Sequence, residues 1–267
     1  MLRKQNLDCD RLLFIDRPAE FSQILGAELK KERRTVVIGG GDGTLSKSAS
    51  QLIGADATLG ILPAGTTNNF ARSLNIPLDP NEALSIIAGG KQKRIGLGKI
   101  SGGHYFSNLA AIGLSVQVAK EVSDQSKRAL GRLAYPVEGL RWLFKHRAFR
   151  CRLMTPEKTY RFATHQLLVA NGRYHGAAPI TADASIFDDN LTIIAIGTDQ
   201  SRWNHIKNLL YFARGKHESR KDTLVFQANS LRIETKPTKH IEADGEVVSK
   251  TPITITHIPQ ALRVFVP

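Results

Sequence analysis

The run Val36-Val37-Ile38-Gly39-Gly40-Gly41-Asp42-Gly43-Thr44-Leu45 puts three successive glycines, an aspartate and another glycine directly after a β-branched segment. Backbone this bare can approach a ligand closely. It is not a Walker A loop, which ends in Gly-Lys-Ser/Thr, because here Ser46 precedes Lys47. Nor is it a dinucleotide fingerprint, since G-x-G-x-x-G begun at Gly41 reaches Ser46 and begun at Gly39 reaches Thr44. What remains is a strand, a glycine loop and a helix starting near Thr44. Successive glycine N–H groups form an anion-cradling nest, and the helix N-terminus adds its partial positive charge. Asp42 suits phosphate only if it meets a metal ion or orients a hydroxyl. The plainer alternative is a tight turn with Asp42 as the helix cap.

A second loop, Leu62-Pro63-Ala64-Gly65-Thr66-Thr67-Asn68-Asn69-Phe70-Ala71-Arg72, also leaves a strand and enters a helix. Its small and hydroxylated residues can donate to a ligand at short range. Two such loops at the carboxyl ends of neighbouring strands make one crevice, the usual ligand position in an open α/β sheet. Far downstream, Glu242-Ala243-Asp244-Gly245-Glu246 taken alone reads as a hairpin turn with surface acids. The eight histidines show no metal-ligand spacing, and there is no Gly-x-Ser-x-Gly elbow.

The elements that must hold these loops follow from periodicity. Thr35–Ile38 reads as a buried strand, followed by Leu45, Ala49, Leu52 and Ile53 at helical spacing, closed by Gly54. Thr58–Leu62 is a second strand, and Asn81–Ala88 a helix closed by Gly89-Gly90. The alternation predicts a parallel α/β sheet. Beyond about residue 95 the texture changes to short strand-like runs separated by turn residues: Arg150–Met154, Thr159–Ala163, Gln166–Ala170, Leu191–Ile196, Leu224–Gln227, Leu231–Glu234 and Pro252–Thr256. They predict an antiparallel sandwich, interrupted by helices near Leu130–His146 and Trp203–Ala213. The fold class is therefore α/β plus all-β. The boundary falls near Lys91–Lys99, giving a nucleotide-type unit over 1–95 and a β-sandwich over 96–267.

With 267 residues, 42% hydrophobic and 23% charged, the composition is that of an ordinary globular chain. No apolar run approaches the roughly 20 residues that cross a bilayer. The N-terminus lacks an apolar signal-peptide core, so export is not expected. Cys9 and Cys151 form no CxxC pair and fit a reducing cytoplasm.

Lys plus Arg exceed Asp plus Glu by 37 to 24, a net charge of +13, which suits nucleic acid, an anionic membrane surface or a polyphosphate, or simply aids solubility. Lys127–Arg152 concentrates cations around a helical stripe of Leu130, Leu133, Val137, Leu140 and Phe144, with Pro136 beginning or kinking it. That stripe either lies at a lipid interface or packs on the sandwich with its cations solvated. Arg214–Lys221 is a second, loop-like basic cluster. Nucleic acid is not expected, because no recognition-helix, zinc or RNP motif occurs and aromatics are 7% of the chain.

Taken in order, the motifs resemble the diacylglycerol kinase catalytic family, in particular the bacterial soluble lipid kinases. The resemblance rests on Gly40-Gly41-Asp42-Gly43-Thr44, Leu62–Ala71, Phe106-Ser107-Asn108 with Ile112-Gly113, and Leu130-Gly131-Arg132-Leu133-Ala134-Tyr135. It continues through Asn171-Gly172, Asp188-Asp189-Asn190-Leu191, Gly215-Lys216-His217 and Asp244-Gly245-Glu246, from about Thr35 to Pro267. GGDGT alone is shared with NAD kinases; the ordered set is highly specific.

The resemblance implies an ATP-dependent lipid kinase, with diacylglycerol the default acceptor. It also implies a cytoplasmic chain that visits an anionic membrane surface, and a possible homodimer. Nucleotide phosphates fall to Gly40, Gly41, Asp42, Gly43, Thr44, Leu45 and Ser46, and to Gly65, Thr66 and Asn68 of the second loop. Glu246 is the implied proton acceptor, with Asp244 beside it as the other catalytic carboxylate. A structural Mg²⁺ is implied at Asp188, with backbone carbonyls from Ser185 and Asn190, and a nucleotide-bound Mg²⁺ supported by Asp42. The competing readings are a metabolite kinase of NAD-kinase type and a non-catalytic lipid- or nucleotide-binding relative.

The chain departs from the family pattern at four places. No NPxSG loop precedes the first glycine loop, and Leu12–Ile15 takes the place of the family's next strand, with Asp16 near its nucleotide-contacting threonine. Asn69 stands where Asp is usual, Asp189 where Gly is usual, and the glycine cluster is thinned to Gly176-Ala177-Ala178.

Overall fold

The computed structural model describes residues 7–31, 34–113, 116, 147–175, 178–180, 184–197 and 223–267. The chain begins with α1 (Phe21–Leu29), β1 (Thr35–Gly40), α2 (Asp42–Gln51), β2 (Thr58–Pro63), α3 (Asn69–Ser73), α4 (Pro80–Ala88) and β3 (Gln92–Ile100). β1 and β2 pair in parallel, Thr35 opposite Thr58 through Gly40 opposite Pro63, so the loops after both strands open at the same end. A tight turn cannot join parallel strands, and α2 supplies the crossover. α4 begins one residue before the helical periodicity indicates, because Pro80 occupies its first turn and Asp79 caps it by accepting from the Asn81 and Glu82 N–H groups.

Strands then dominate: β4 (His104–Phe106), β5 (Leu109–Gly113), β6 (Phe149–Met154), β7 (Thr159–Thr164), β8 (Gln166–Ala170), β9 (Tyr174–His175), β10 (Ala178–Pro179), β11 (Leu191–Ile196), β12 (Thr223–Ala228), β13 (Ser230–Lys236), β14 (His240–Ala243), β15 (Glu246–Lys250) and β16 (Ile253–Phe265). A six-stranded antiparallel sheet runs β12-β11-β8-β5-β14-β15. It packs on the β13, β6 and β7 part of an eight-stranded sheet through Phe106, Phe149, Leu153, Leu167, Ile193, Ile233 and Ile255, all essentially inaccessible to water. This is the expected sandwich behind an α/β unit. The helices expected near 130–146 and 203–213, and the cluster 214–221, lie outside the described residues, as does most of the basic stripe. Among the described residues no helix is long and apolar enough to cross a membrane.

One strand joins the two layers. β16 is 13 residues long and pairs with β3 along one edge, from Ile255 opposite Ile100 to Phe265 opposite Gln92, interrupted by a register shift between Ile258 and Leu262. Along its other edge the first part pairs antiparallel with β13, and the end pairs parallel with β2 at Arg263–Thr58 and Val264–Leu59. Leu262 and Val264 therefore sit in the same core as Leu45, Leu59, Phe70 and Leu74. The change of texture near residues 91–99 falls inside β3, which runs unbroken through it. Ile186, from the turn before β11, is also fully buried in this first core.

The apolar run Leu12–Ile15 forms no strand. Leu12, Leu13 and Phe14 are exposed, and among the described residues β1 pairs only with β2. Apolar character makes a strand only where an edge accepts it.

Because Ile186 links the second unit to the first core, Ile186→Ala should lower the stability of the whole chain by about 2–5 kcal/mol. A single denaturation transition shifted to lower urea is the expected result; a selective loss of one of two transitions would contradict it.

A pH effect follows from His257 on β16. It is 5% exposed, its Nε2 has no hydrogen-bond partner among the described residues, and a Cβ on Gly96 would lie 1.9 Å from that nitrogen. Burial pushes its pKa below 6.5, opposed by the charge of Asp189. The unfolded chain then takes the proton first, so this contribution to stability is present above about pH 6.5 and is lost as pH falls below it. Denaturation midpoints near pH 7.5 and near pH 5.5 should show the drop, and His257→Gln should reduce it.

Candidate functional site

The two glycine-bearing loops meet backbone to backbone. A Cβ on Gly65 would lie 2.5 Å from Gly41 Cα, and one on Gly41 would lie 3.2 Å from Gly65 Cα, so the contact needs both glycines. A Cβ on Gly40 would lie 2.8 Å from the Cβ of Thr44. Gly43 is different: it is exposed, and an added Cβ would meet nothing within 4 Å. Packing does not demand glycine there. The α2 N-cap, Gly41, is extended and brings no side chain to the first-turn N–H groups, so this end of the helix is open to an anion.

Asp42 does not cap its own helix. Its Oδ2 accepts from Thr67 Oγ1 at 2.7 Å and its Oδ1 from Phe70 N at 3.0 Å, so it ties the first loop to the start of α3. Asn68, left-handed at φ 48° and buried, closes the second loop on itself: Oδ1 accepts from Gly65 N at 2.8 Å and Nδ2 donates to Gly65 O at 2.9 Å. Leu45 is buried in the first core, with its N–H on Gly41 O at 3.0 Å. Thr66, Gly43 and Lys47 are exposed, and Thr44 is half-buried. The structure thus divides the implied nucleotide residues into some that shape the loops and some that stay exposed.

Asp244-Gly245 is a two-residue turn between β14 and β15, with φ of 45° and 92°. Both residues are left-handed, as a tight hairpin of this kind requires. Its aspartate reaches outward from the hairpin to neighbouring elements. Oδ2 accepts from Ser46 Oγ (2.7 Å), Ser107 N (2.7 Å) and Ser107 Oγ (2.9 Å); Oδ1 accepts from Asn108 N (3.1 Å) and Leu109 N (2.9 Å). A carboxylate offers about four lone-pair sites, so this set saturates it and leaves it to hold the turn in place. Glu246, by contrast, is exposed, and its Oε1 lies 2.7 Å from Lys47 Nζ on α2. The glycine-loop helix therefore touches the distant acidic turn with two successive side chains, Ser46 and Lys47.

Around this contact lie residues that spacing alone did not single out. Glu242 is buried beside the turn; burial pushes its pKa up, a hydrogen bond from the Gly245 N–H pulls it down, and the charge of Asp244 adds to the rise. His175 feels the Asp244 charge too, but burial dominates and lowers its pKa. Asn108 Oδ1 accepts from Ser73 Oγ at 3.1 Å while its Nδ2 donates to Tyr174 O. Asn171 Nδ2 donates to Gly96 O at 3.0 Å and to Ser107 O at 2.8 Å. Ser107, Asn108 and Asn171 stand in motifs that the sequence displays, but their contacts, among them that of Asn108 with Ser73 of α3, run across the fold. Lys47 had one readable signal, its i, i+4 spacing from Gly43.

The implied metal residues form a separate turn. The Asp188 N–H donates to Ser185 O at 3.1 Å, the Phe187 N–H to Ser185 Oγ at 3.3 Å, and Asp188 and Asn190 are exposed. One carboxylate and two carbonyls on a short arc make an all-oxygen set, the kind a hard cation such as Mg²⁺ takes. Lys93 Nζ stacks over Phe187 at 4.1 Å and Ile186 is buried, so the turn is anchored on both sides of its centre. Among the described residues no three His, Cys, Asp or Glu side chains cluster as a metal site.

Residues 10–100 match the family described as the diacylglycerol kinase catalytic domain, and residues 108–266 match the YegS C-terminal NAD kinase beta sandwich-like domain. Proteins of Yersinia pestis and Yersinia pseudotuberculosis, each named a probable lipid kinase YegS-like, are 29% identical to this chain over 237 residues, 87% of it and 79% of their own length. The crystal structure of a diacylglycerol kinase from Bacillus anthracis strain Sterne superposes with a TM-score of 0.74 at 20% identity, over 96% of this chain and 84% of that one. A second crystal structure from the same organism reaches 0.79 at 24% identity, over 96% and 85%. At these identities the structural likeness speaks to the fold.

The two glycines give a direct contrast. Gly65→Ala should destabilise the protein, because its Cβ meets backbone that cannot move aside. Gly43→Ala should leave thermal stability unchanged or raise it by up to about 1 kcal/mol, since alanine is the better helix former. Equal melting losses in both variants would contradict this assignment.

Proposed function

We propose, for a chain that belongs to the lipid kinase family combining a diacylglycerol kinase catalytic domain with a YegS-type C-terminal domain, that it transfers the γ-phosphoryl group of ATP to a lipid hydroxyl. The carrying observation is the meeting of the glycine-loop helix with the acidic turn, through Ser46–Asp244 and Lys47–Glu246. It brings a bare, anion-ready backbone and an exposed carboxylate to one crevice. Those are the two things phosphoryl transfer asks of a protein: charge stabilisation with alignment, and an acceptor for the hydroxyl proton.

The lipid hydroxyl oxygen bonds to the γ-phosphorus as the bond from phosphorus to the β–γ bridging oxygen breaks. ADP leaves with that electron pair, and the hydroxyl proton passes to Glu246. Gly41–Thr44 and Thr66 hold the phosphates, while Asp42, Asn68 and Asp244 keep the loops and the turn in register. Mg²⁺ bound with the nucleotide would supply neutralisation of phosphate charge, and Asp188 with the Ser185 and Asn190 carbonyls would hold a structural ion. Diacylglycerol is the default acceptor, met at an anionic membrane surface toward which the net charge of +13 draws the chain.

Radiolabelled ATP offered with a panel of lipids tests the reading. Transfer to a lipid by the wild type, cut to a small residual rate in Glu246→Gln while ATP binding persists, is the expected pattern. Full activity in Glu246→Gln would remove that residue as proton acceptor. ATP binding without transfer to any lipid would leave a non-catalytic relative, and transfer to NAD instead would make the chain a metabolite kinase.

A further inference from the structure

Ser46 and Lys47 hold the acidic turn in different ways. Ser46 is buried, and its hydroxyl joins the donors around Asp244. The Lys47 and Glu246 side chains are 51% and 59% exposed, so packing does not force their pairing. An exposed pair of this kind contributes little to stability. Its place in the fold makes it of interest.

Helix geometry directs Lys47 to the ligand end of α2. Gly43 and Lys47 are four residues apart, share one face, and are both exposed. Side chains on a helix lean toward its N-terminus, the end that carries Gly43. The Lys47 ammonium meets Glu246, 2.7 Å from Oε1. Glu246 opens β15 immediately after the saturated Asp244 turn, so its backbone is fixed. Its side chain, by contrast, is exposed and has Lys47 as its ion-pair partner. Backbone anchoring by Ser46 and side-chain anchoring by Lys47 thus come from one helix, the same helix whose N-terminus is bare.

We propose that Lys47 is a positioning residue that holds the Glu246 carboxylate toward the glycine-loop end of α2, aligning proton acceptor and phosphoryl group. The inference rests on the lipid kinase reading above and adds to it a residue and a reason: the cation couples the proton acceptor to the element that binds the phosphates. A carboxylate misplaced by about an ångström loses turnover on the order of 100-fold, whereas nucleotide affinity, set by the loop backbone, is untouched.

Full-length Lys47→Met, Lys47→Arg, Glu246→Gln and the Met/Gln double variant, assayed with ATP and whichever lipid the wild type phosphorylates, decide the matter. Lys47→Met should lower kcat by about 10- to 100-fold. Its KM for ATP should stay within about twofold and its melting temperature should be unchanged; Lys47→Arg should recover most of the turnover. In the Glu246→Gln background the same change should cost nothing further, since the group it positions is gone. Full activity in Lys47→Met would overturn the inference, as would a raised KM for ATP with kcat intact, which would make Lys47 a phosphate ligand. An equal kcat loss in the Glu246→Gln background would also overturn it. A wild type inactive on every lipid removes the kinase reading and this inference together, whereas an active wild type beside a fully active Lys47→Met removes this inference alone.

Discussion

The Asp244 carboxylate is the point through which the rest of the crevice is assembled. It takes donors from the glycine-loop helix at Ser46 and from the start of the second unit at Ser107, Asn108 and Leu109. Hydrogen bonds to an ionised acceptor are among the stronger ones, and a buried donor left without its acceptor is costly. Three of those donors are backbone N–H groups, which the fold fixes in place around the carboxylate. The left-handed backbone at Asp244 is therefore held by what it joins as well as by the hairpin it turns. Everything nearby that looks chemical, Glu246 and Lys47 above all, takes its position from this anchor.

β16 does for the whole molecule what Asp244 does for the crevice. It lies against β3 for nearly its full length and hands its other edge first to the antiparallel sandwich and then to the parallel pair β1–β2. Its register shift between Ile258 and Leu262 lets one strand serve both arrangements, since a bulge adds local twist. A crevice formed between two separately folded units would open and close freely. Here a continuous strand and a common core containing Leu262, Val264 and Ile186 restrain such motion.

Within that frame the glycines have two distinct uses. Gly41 and Gly65 exist so that two loops can touch, and a side chain at either would separate them. Gly43 faces open space, where a glycine serves whatever approaches from outside. The same distinction runs through the polar residues. Asp42, Asn68 and Asp244 spend their oxygens inside the protein, whereas Thr66 and Glu246 stay exposed. A motif that looks uniform in one dimension is thus part scaffold and part exposed surface.

Much of this was legible along the chain. β1 and β2, with glycine- and hydroxyl-rich loops after them, announce a parallel sheet with a ligand crevice because strand period, turn residues and helix period succeed one another over short spans. β8 and β11 were readable to the residue, since the short apolar stretches Leu167–Ala170 and Leu191–Ile196, the latter broken only by Thr192, are bounded by polar residues or glycine and leave little choice. β3 was not, because Gln92, Lys93 and Arg94 give its first half an exposed, charged texture that its buried second half does not share. Leu12–Ile15 shows the opposite case, strand-like residues with no edge to join. The sequence by itself determined the fold class, the two loops and the identity of the acidic turn, all of which rest on local pattern. Only the tertiary structure decided that Asp42 caps the other loop's helix, that Asp244 is an anchor, and that Lys47 meets Glu246. Ser46 and Asp244 are 198 residues apart in sequence, and no local propensity carries information about which pairs of distant groups a shared core will bring within hydrogen-bonding distance.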